Sequence, residues 1–100
     1  MGGFPVTIEL KYNIPHTNFK VDGYDKKTNT VYEFLGDVFH GNPSKFDPLD
    51  TPHPYTDETA QKLYDDTFKR LDYIRNLGYN VIYIWENDYR NSTNLGGVKL

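Results

Sequence analysis

The chain has 100 residues, of which 37% are hydrophobic and 16% aromatic, enough apolar side chain for one domain with a single core. It has no cysteine, which excludes a disulfide framework and a thiolate zinc site. It also has no apolar run near 18 residues and no signal-peptide pattern, so the cytoplasm is the expected compartment and no membrane partner is expected. A net charge of −3 weighs mildly against nucleic acid, yet Lys11, Lys20, Lys26, Lys27 and Lys45 fall close in sequence to the acids singled out below.

Residues 6 to 13 alternate apolar and polar, a strand signal. Phe19 to Tyr24 and Thr30 to Phe39 are two further strand-like runs flanking a turn over Asp25 to Asn29. Residues 41 to 56, with Pro43, Pro48, Pro52 and Pro54, form a loop of a length more often functional than idle. Asp57 to Leu77 turns helical, with Thr56 or Asp57 as N-cap and Gly78 as the stop. Its apolar stripe is Ala60, Leu63, Thr67, Leu71, Ile74 and Leu77. With Leu63 at zero, Asp66 lies at about −60° and Arg70 at about −20°, while Asp65 points roughly 160° away. Arg70 therefore either pairs with Asp66 one turn away or reaches a site. Tyr79 to Trp85 is a nearly continuous apolar run, the pattern of a strand covered on both faces. A short helix or turn over Glu86 to Arg90 and a loose tail from Asn91 to Leu100 complete the chain. The order implies an α/β fold, a mixed sheet with one long helix across it.

The hairpin carries the chemistry. If its strands pair, the carboxylates of Asp22 and Glu33 approach each other, and two such charges about 4 Å apart repel by roughly 4 kcal/mol at an effective dielectric near 20. Protonation, a basic side chain or a cation must offset that, and a small set of oxygen donors suits Mg²⁺, which keeps several waters. Alternatively, Asp22 caps the turn and Glu33 is a solvated strand residue. His40 lies just beyond; His16 and His53 read as loop histidines.

Four separated blocks carry a resemblance. They are Val21-Asp22-Gly23-Tyr24, the run from Val31 to Pro43, Leu63 to Arg70, and Leu77 to Glu86. In this order and spacing they resemble the catalytic core of the Vsr endonucleases, and more closely the phage and intron homing endonucleases of the EDxHD type. The resemblance covers roughly residues 18 to 90. It implies a restriction-endonuclease-like core of the PD-(D/E)XK superfamily that cuts double-stranded DNA with Mg²⁺, or with Mn²⁺ in its place, in a bacterial or phage-infected cell. It implies that Asp22 and Glu33 bind the metal together with the backbone carbonyl of Phe34, and that His40 is the base. Asp66 is the best local candidate to orient His40, although the family's aspartate aligns by spacing nearer Thr67. Lys20, Phe39, Asn42 and Arg70 would contact DNA, Phe39 standing where a tryptophan is common.

Some features depart from that family. Leu35 occupies the superfamily's lysine position. Glu9, on a strand, is the only acid near the place of the family's first glutamate, and the Vsr zinc site is missing. The Met1-Gly2-Gly3 start suggests a catalytic module cut from a longer protein, with target specificity coming from a linked DNA-binding segment or from a homodimer. The second reading is a nuclease-fold module that binds nucleic acid without cutting it.

Overall fold

The computed structural model describes residues 8–93. They form β1 (Ile8–Asn13), β2 (Lys20–Asp25), β3 (Thr30–Leu35), α1 (Asp37–His40), α2 (Ala60–Asn76), β4 (Asn80–Trp85) and α3 (Glu86–Thr93). The strands make one sheet in the order β1-β2-β3-β4, antiparallel throughout except that β4 runs parallel to β3. This is a small α/β domain with a mixed sheet and a long helix against it. Residues 6 and 7 of the first expected strand, the Met1-Gly2-Gly3 start and the tail beyond Thr93 lie outside the described residues. No helix among the described residues is long and apolar enough to cross a membrane.

The β2–β3 turn is built from side chains suited to it. Asp25 accepts from the Lys27 amide at 3.0 Å, and Asn29 takes a left-handed φ of 54°, a conformation asparagine tolerates better than most residues. The Asn29 side chain donates to the Gly78 carbonyl at 2.9 Å, and the Asn80 amide donates to the Asn29 carbonyl at 2.9 Å, so the hairpin tip is tied to the start of β4. Ile14, Val21, Val31 and Ile74 form the centre of the core, with Tyr12, Phe19, Tyr24, Tyr79 and Val81 packed around them. Val21 and Tyr24 both reach this core although they are three residues apart on one strand. Strict alternation is therefore broken between them, beside Lys11 of β1, whose φ is 57°.

Three features differ from the sequence expectation for a tertiary reason, and α3 also runs on to Thr93 where a loose tail was expected from Asn91. The third strand was expected to run to Phe39 but ends at Leu35. There the Asp37 amide donates to Glu86 Oε1 at 3.1 Å and the chain winds into the single turn of α1. The long helix begins at Ala60, not Asp57, and its N-cap is Thr59. Its first four amides are satisfied by the Asp50 carbonyl (2.7 Å), the Pro48 carbonyl (3.1 Å), Thr59 Oγ1 (3.2 Å) and the Thr59 carbonyl (3.0 Å). The proline-rich loop thus caps the helix, meeting the need every helix start has for donors' partners. Of the predicted stripe, Ala60, Leu63, Thr67, Leu71 and Ile74 are buried, while Leu77, past the last turn, is exposed. The third difference is β4, which is covered on one face only: Trp85 stacks on Tyr64 and Tyr83 meets Phe68 from α2, but Ile82 on the other face is 53% exposed.

Candidate active site

Where β2 and β3 would continue pairing beyond Gly23 and Tyr32, two carboxylates take over the hydrogen bonding. The Phe34 amide donates to Asp22 Oδ2 at 2.7 Å, and the Asp22 amide donates to Glu33 Oε2 at 3.3 Å. The two acids are thereby locked together at the end of the hairpin, on the side of the sheet that faces α2.

Arg70 comes to this pair from the helix. Its Nη2 lies 2.8 Å from Glu33 Oε1 and donates to the Lys20 carbonyl at 2.8 Å, with the guanidinium 5.3 Å from the Phe19 ring centre. Arg70 thus makes an ion pair, but with Glu33 across the cleft and not with Asp66, which pairs with Lys62. Its buried Nε has no hydrogen-bond partner. The Glu33 side chain is only 9% exposed, and burial pushes its carboxyl above the ordinary range. Arg70 pulls it back down and the neighbouring Asp22 charge pushes it up again.

His40 closes the arrangement from the end of α1. Its Nδ1 is 2.8 Å from Thr67 Oγ1, and that hydroxyl donates its one hydrogen to the Leu63 carbonyl at 2.8 Å. Since a carbonyl only accepts, the hydroxyl proton belongs to that bond, and the histidine must be the donor in the other. The proton of neutral His40 is therefore assigned to Nδ1, and Nε2 keeps a lone pair. Burial holds the imidazole below its usual pKa, Arg70 and then His53 lower it further, and Asp22 opposes them. His40 is thus neutral around pH 7.

Lys20, Asp22, Glu33, Phe34, His40, Thr67 and Arg70 line one cleft of about 200 Å³, floored by Leu35 and Leu71. Three predicted residues, Asp66, Asn42 and Phe39, are not in it. Asp66 sits on the exposed side of α2 in an ion pair with Lys62 at 2.6 Å, so the side chain touching His40 is Thr67 and not Asp66. The helix turns Asp66 about 100° away from the Thr67 position that faces α1. Asn42 is 3% exposed: its Nδ2 donates to Asp37 Oδ1 at 2.8 Å, and its Oδ1 accepts from the Ser44 amide and hydroxyl, so it has no free face for DNA. It braces α1 instead. Phe39 is 47% exposed, its ring edge-on to His53 at 5.2 Å. Glu9 lies on β1 opposite Tyr24, away from the cleft lining. Sequence reasoning took His53 for a loop histidine, since its proximity to His40 had no local signal, and missed the bracing role of Asp37, which shows in its bonds with Asn42, Glu86 and Asn87.

Two carboxylates share the cleft with the Arg70 guanidinium, the Lys20 ammonium and a neutral imidazole, so the formal charges balance and the fit to a hard divalent cation rests on the oxygen donors of Asp22 and Glu33. No group of three His, Cys, Asp or Glu side chains that could hold a metal occurs among the described residues. A cation bound by so few protein oxygens completes its shell with water and substrate oxygen, as Mg²⁺ does. Compared with known protein families, curated proteins and solved structures, the chain matches none.

Proposed function

We propose that the chain is the catalytic domain of a Mg²⁺-dependent DNA endonuclease with a restriction-endonuclease-like core, of the EDxHD homing type. One observation carries this reading: a histidine whose Nδ1 proton is committed to Thr67 stands in one cleft with the interlocked Asp22 and Glu33 carboxylates. The strand order, in which a long helix crosses over from the hairpin to a fourth strand parallel to β3, supports the fold assignment.

Asp22, Glu33 and the Phe34 carbonyl are the groups that would hold the metal. When bound, Mg²⁺ supplies Lewis-acid stabilisation of a phosphoryl oxygen and eases ionisation of a water. The residues of the chain account for the remaining requirements. Nε2 of His40 accepts the proton of the attacking water, a general-base contribution typically worth 10²- to 10⁴-fold. Its lowered pKa keeps that lone pair available at neutral pH. Thr67 fixes the ring so that Nε2 needs no tautomer change before it acts. Arg70 and Lys20 add positive charge beside the acids, where the phosphate backbone of double-stranded DNA must approach. Leu35 leaves the cleft without the superfamily's lysine, so the imidazole is its one neutral-pH base.

Plasmid nicking by the purified chain tests this, with Mg²⁺, Mn²⁺ or EDTA, beside Asp22→Asn and His40→Ala. Cutting that needs metal and both side chains is the expected result. A second reading, binding without cutting, draws on the Arg70–Glu33 ion pair, which already supplies a cation to one of the two acids. It predicts salt-dependent DNA affinity that survives Asp22→Asn, with no nicking in either metal.

A further inference from the structure

Each acid of the cleft commits one carboxylate oxygen to the strands. Asp22 Oδ2 accepts from the Phe34 amide, and Glu33 Oε2 accepts from the Asp22 amide. The oxygens left for a cation are therefore Asp22 Oδ1 and Glu33 Oε1. Arg70 occupies the second, with Nη2 2.8 Å from Glu33 Oε1. That same nitrogen donates to the Lys20 carbonyl at 2.8 Å. Nε, a nitrogen that a two-point grip on a carboxylate could use, is buried without a partner. A buried donor is rarely left so. The guanidinium thus supplies Glu33 with charge while its own hydrogen bonding stays incomplete, and with 35% of the Arg70 side chain exposed against 9% of Glu33, it is the partner with room to move.

We propose that Arg70 is a displaceable counter-charge, which neutralises Glu33 until a divalent cation takes Glu33 Oε1 and drives the guanidinium off. This rests on the metal role proposed above for Asp22 and Glu33. Lys20 and Arg70 already balance the two acids formally, so a dication brings two positive charges in excess. A guanidinium and a dication on one carboxylate oxygen repel at contact range, where the Coulomb term is largest. Release does not send Arg70 away from the cleft. The Lys20 carbonyl and the Phe19 ring, whose centre is 5.3 Å from the guanidinium carbon, remain to hold it. Its freed donors then suit a phosphate oxygen, which a guanidinium binds in the same planar fashion as a carboxylate. Arg70 therefore weakens metal binding, and the metal in turn weakens the hold of Glu33 on Arg70, by the same factor.

Two measurements on the intact chain test this. Mn²⁺ binding, followed by the electron paramagnetic resonance signal of the free ion, is expected to be lost in Asp22→Asn and to tighten by about 10-fold in Arg70→Gln, an ordinary size for coupling within one site. The second uses the wild type and decides the matter should Arg70→Gln not fold. Arg70, Arg75 and Arg90 are the arginines of the chain, so their Nε–H groups give a simple ¹H–¹⁵N spectrum. The Arg70 signal is expected to move on addition of Mg²⁺ with the same midpoint as the Asp22 and Phe34 amides. Equal or weaker Mn²⁺ binding by a folded Arg70→Gln overturns the displacement, as does an Arg70 signal that stays still while those amides titrate, and the metal role of Asp22 and Glu33 survives either result. Mn²⁺ affinity that Asp22→Asn leaves intact puts the metal elsewhere and overturns both.

Discussion

The two faces of the sheet are built on opposite principles. Towards α2 the sheet meets a helix, and the far end of that layer holds buried charge: Glu33, Arg70, Asp22 and a neutral histidine, each tied to a backbone group or to another side chain. Away from α2 the same strands present mostly hydrocarbon and aromatic surface, with Ile8, Leu10 and Ile82 exposed and Phe34 edge-on to Tyr89 of α3 at 5.8 Å. Asp22, Glu33 and Phe34 line both surfaces, so the two principles meet across one strand thickness. The difference teaches that burial of apolar groups stabilises this domain while partly desolvated charge is gathered at one cleft, where the proposed chemistry would take place.

Substitutions on the charged face separate the two. The largest expected effect is on rate: His40→Ala lowers nicking by about 10²- to 10⁴-fold, measured as initial rates at fixed Mg²⁺, while the fold is kept. Glu33→Ala, besides removing a group proposed to hold the metal, strikes stability. It leaves the Arg70 guanidinium without its carboxylate, and breaking a pair of this kind costs about 3 kcal/mol, the low end of the buried range because Arg70 is 35% exposed. Urea unfolding monitored by circular dichroism measures it, and a loss under about 1 kcal/mol would mean that Arg70 simply re-pairs.

Thr67→Val preserves shape and removes the acceptor for His40 Nδ1. A net hydrogen bond of about 1 kcal/mol is lost, and nicking is expected to fall by about 10-fold as the imidazole gains the other tautomer. The pH profile sharpens this. In wild type the rate falls as pH falls through the His40 pKa, and because burial lowers that pKa, the acid limb lies below the ordinary value of 6.5. The stability effect has the same sign. An unfolded chain binds the histidine proton first, so native stability is lost as pH drops below about 6.5, and His40→Ala flattens that slope. The smallest effect belongs to Asp66→Asn. Its partner Lys62 is solvent-exposed, so stability should change by less than about 0.5 kcal/mol and nicking not at all.

Much of the frame was legible in the chain. The hairpin announced itself by two alternating runs around an Asp-to-Asn turn, and the helix by a stripe whose five buried members lie where a 3.6-residue period puts them. What was not legible depends on where separate elements come to rest. Val38 and Phe39 continue the strand pattern of Thr30 to Leu35, and only Glu86, 49 residues downstream of Asp37, draws the backbone into α1. A helical wheel orients Asp66 and Thr67 relative to the core stripe, but it does not contain α1, so it could not tell which of them His40 would meet. The apolar run of β4 gives no sign of how many layers cover it.

The Thr67 hydroxyl between His40 and the Leu63 carbonyl has a further consequence. A chain of hydrogen bonds that ends on a backbone carbonyl is a dead end for protons, since the carbonyl has none to pass on and nowhere to send one. His40 cannot work as a wire that takes a proton at one nitrogen and discharges it at the other. In the proposed reaction, a proton that Nε2 picks up would have to leave by the same atom, into the cleft, which would make the ring a single-port reservoir refilled and emptied on the solvent side.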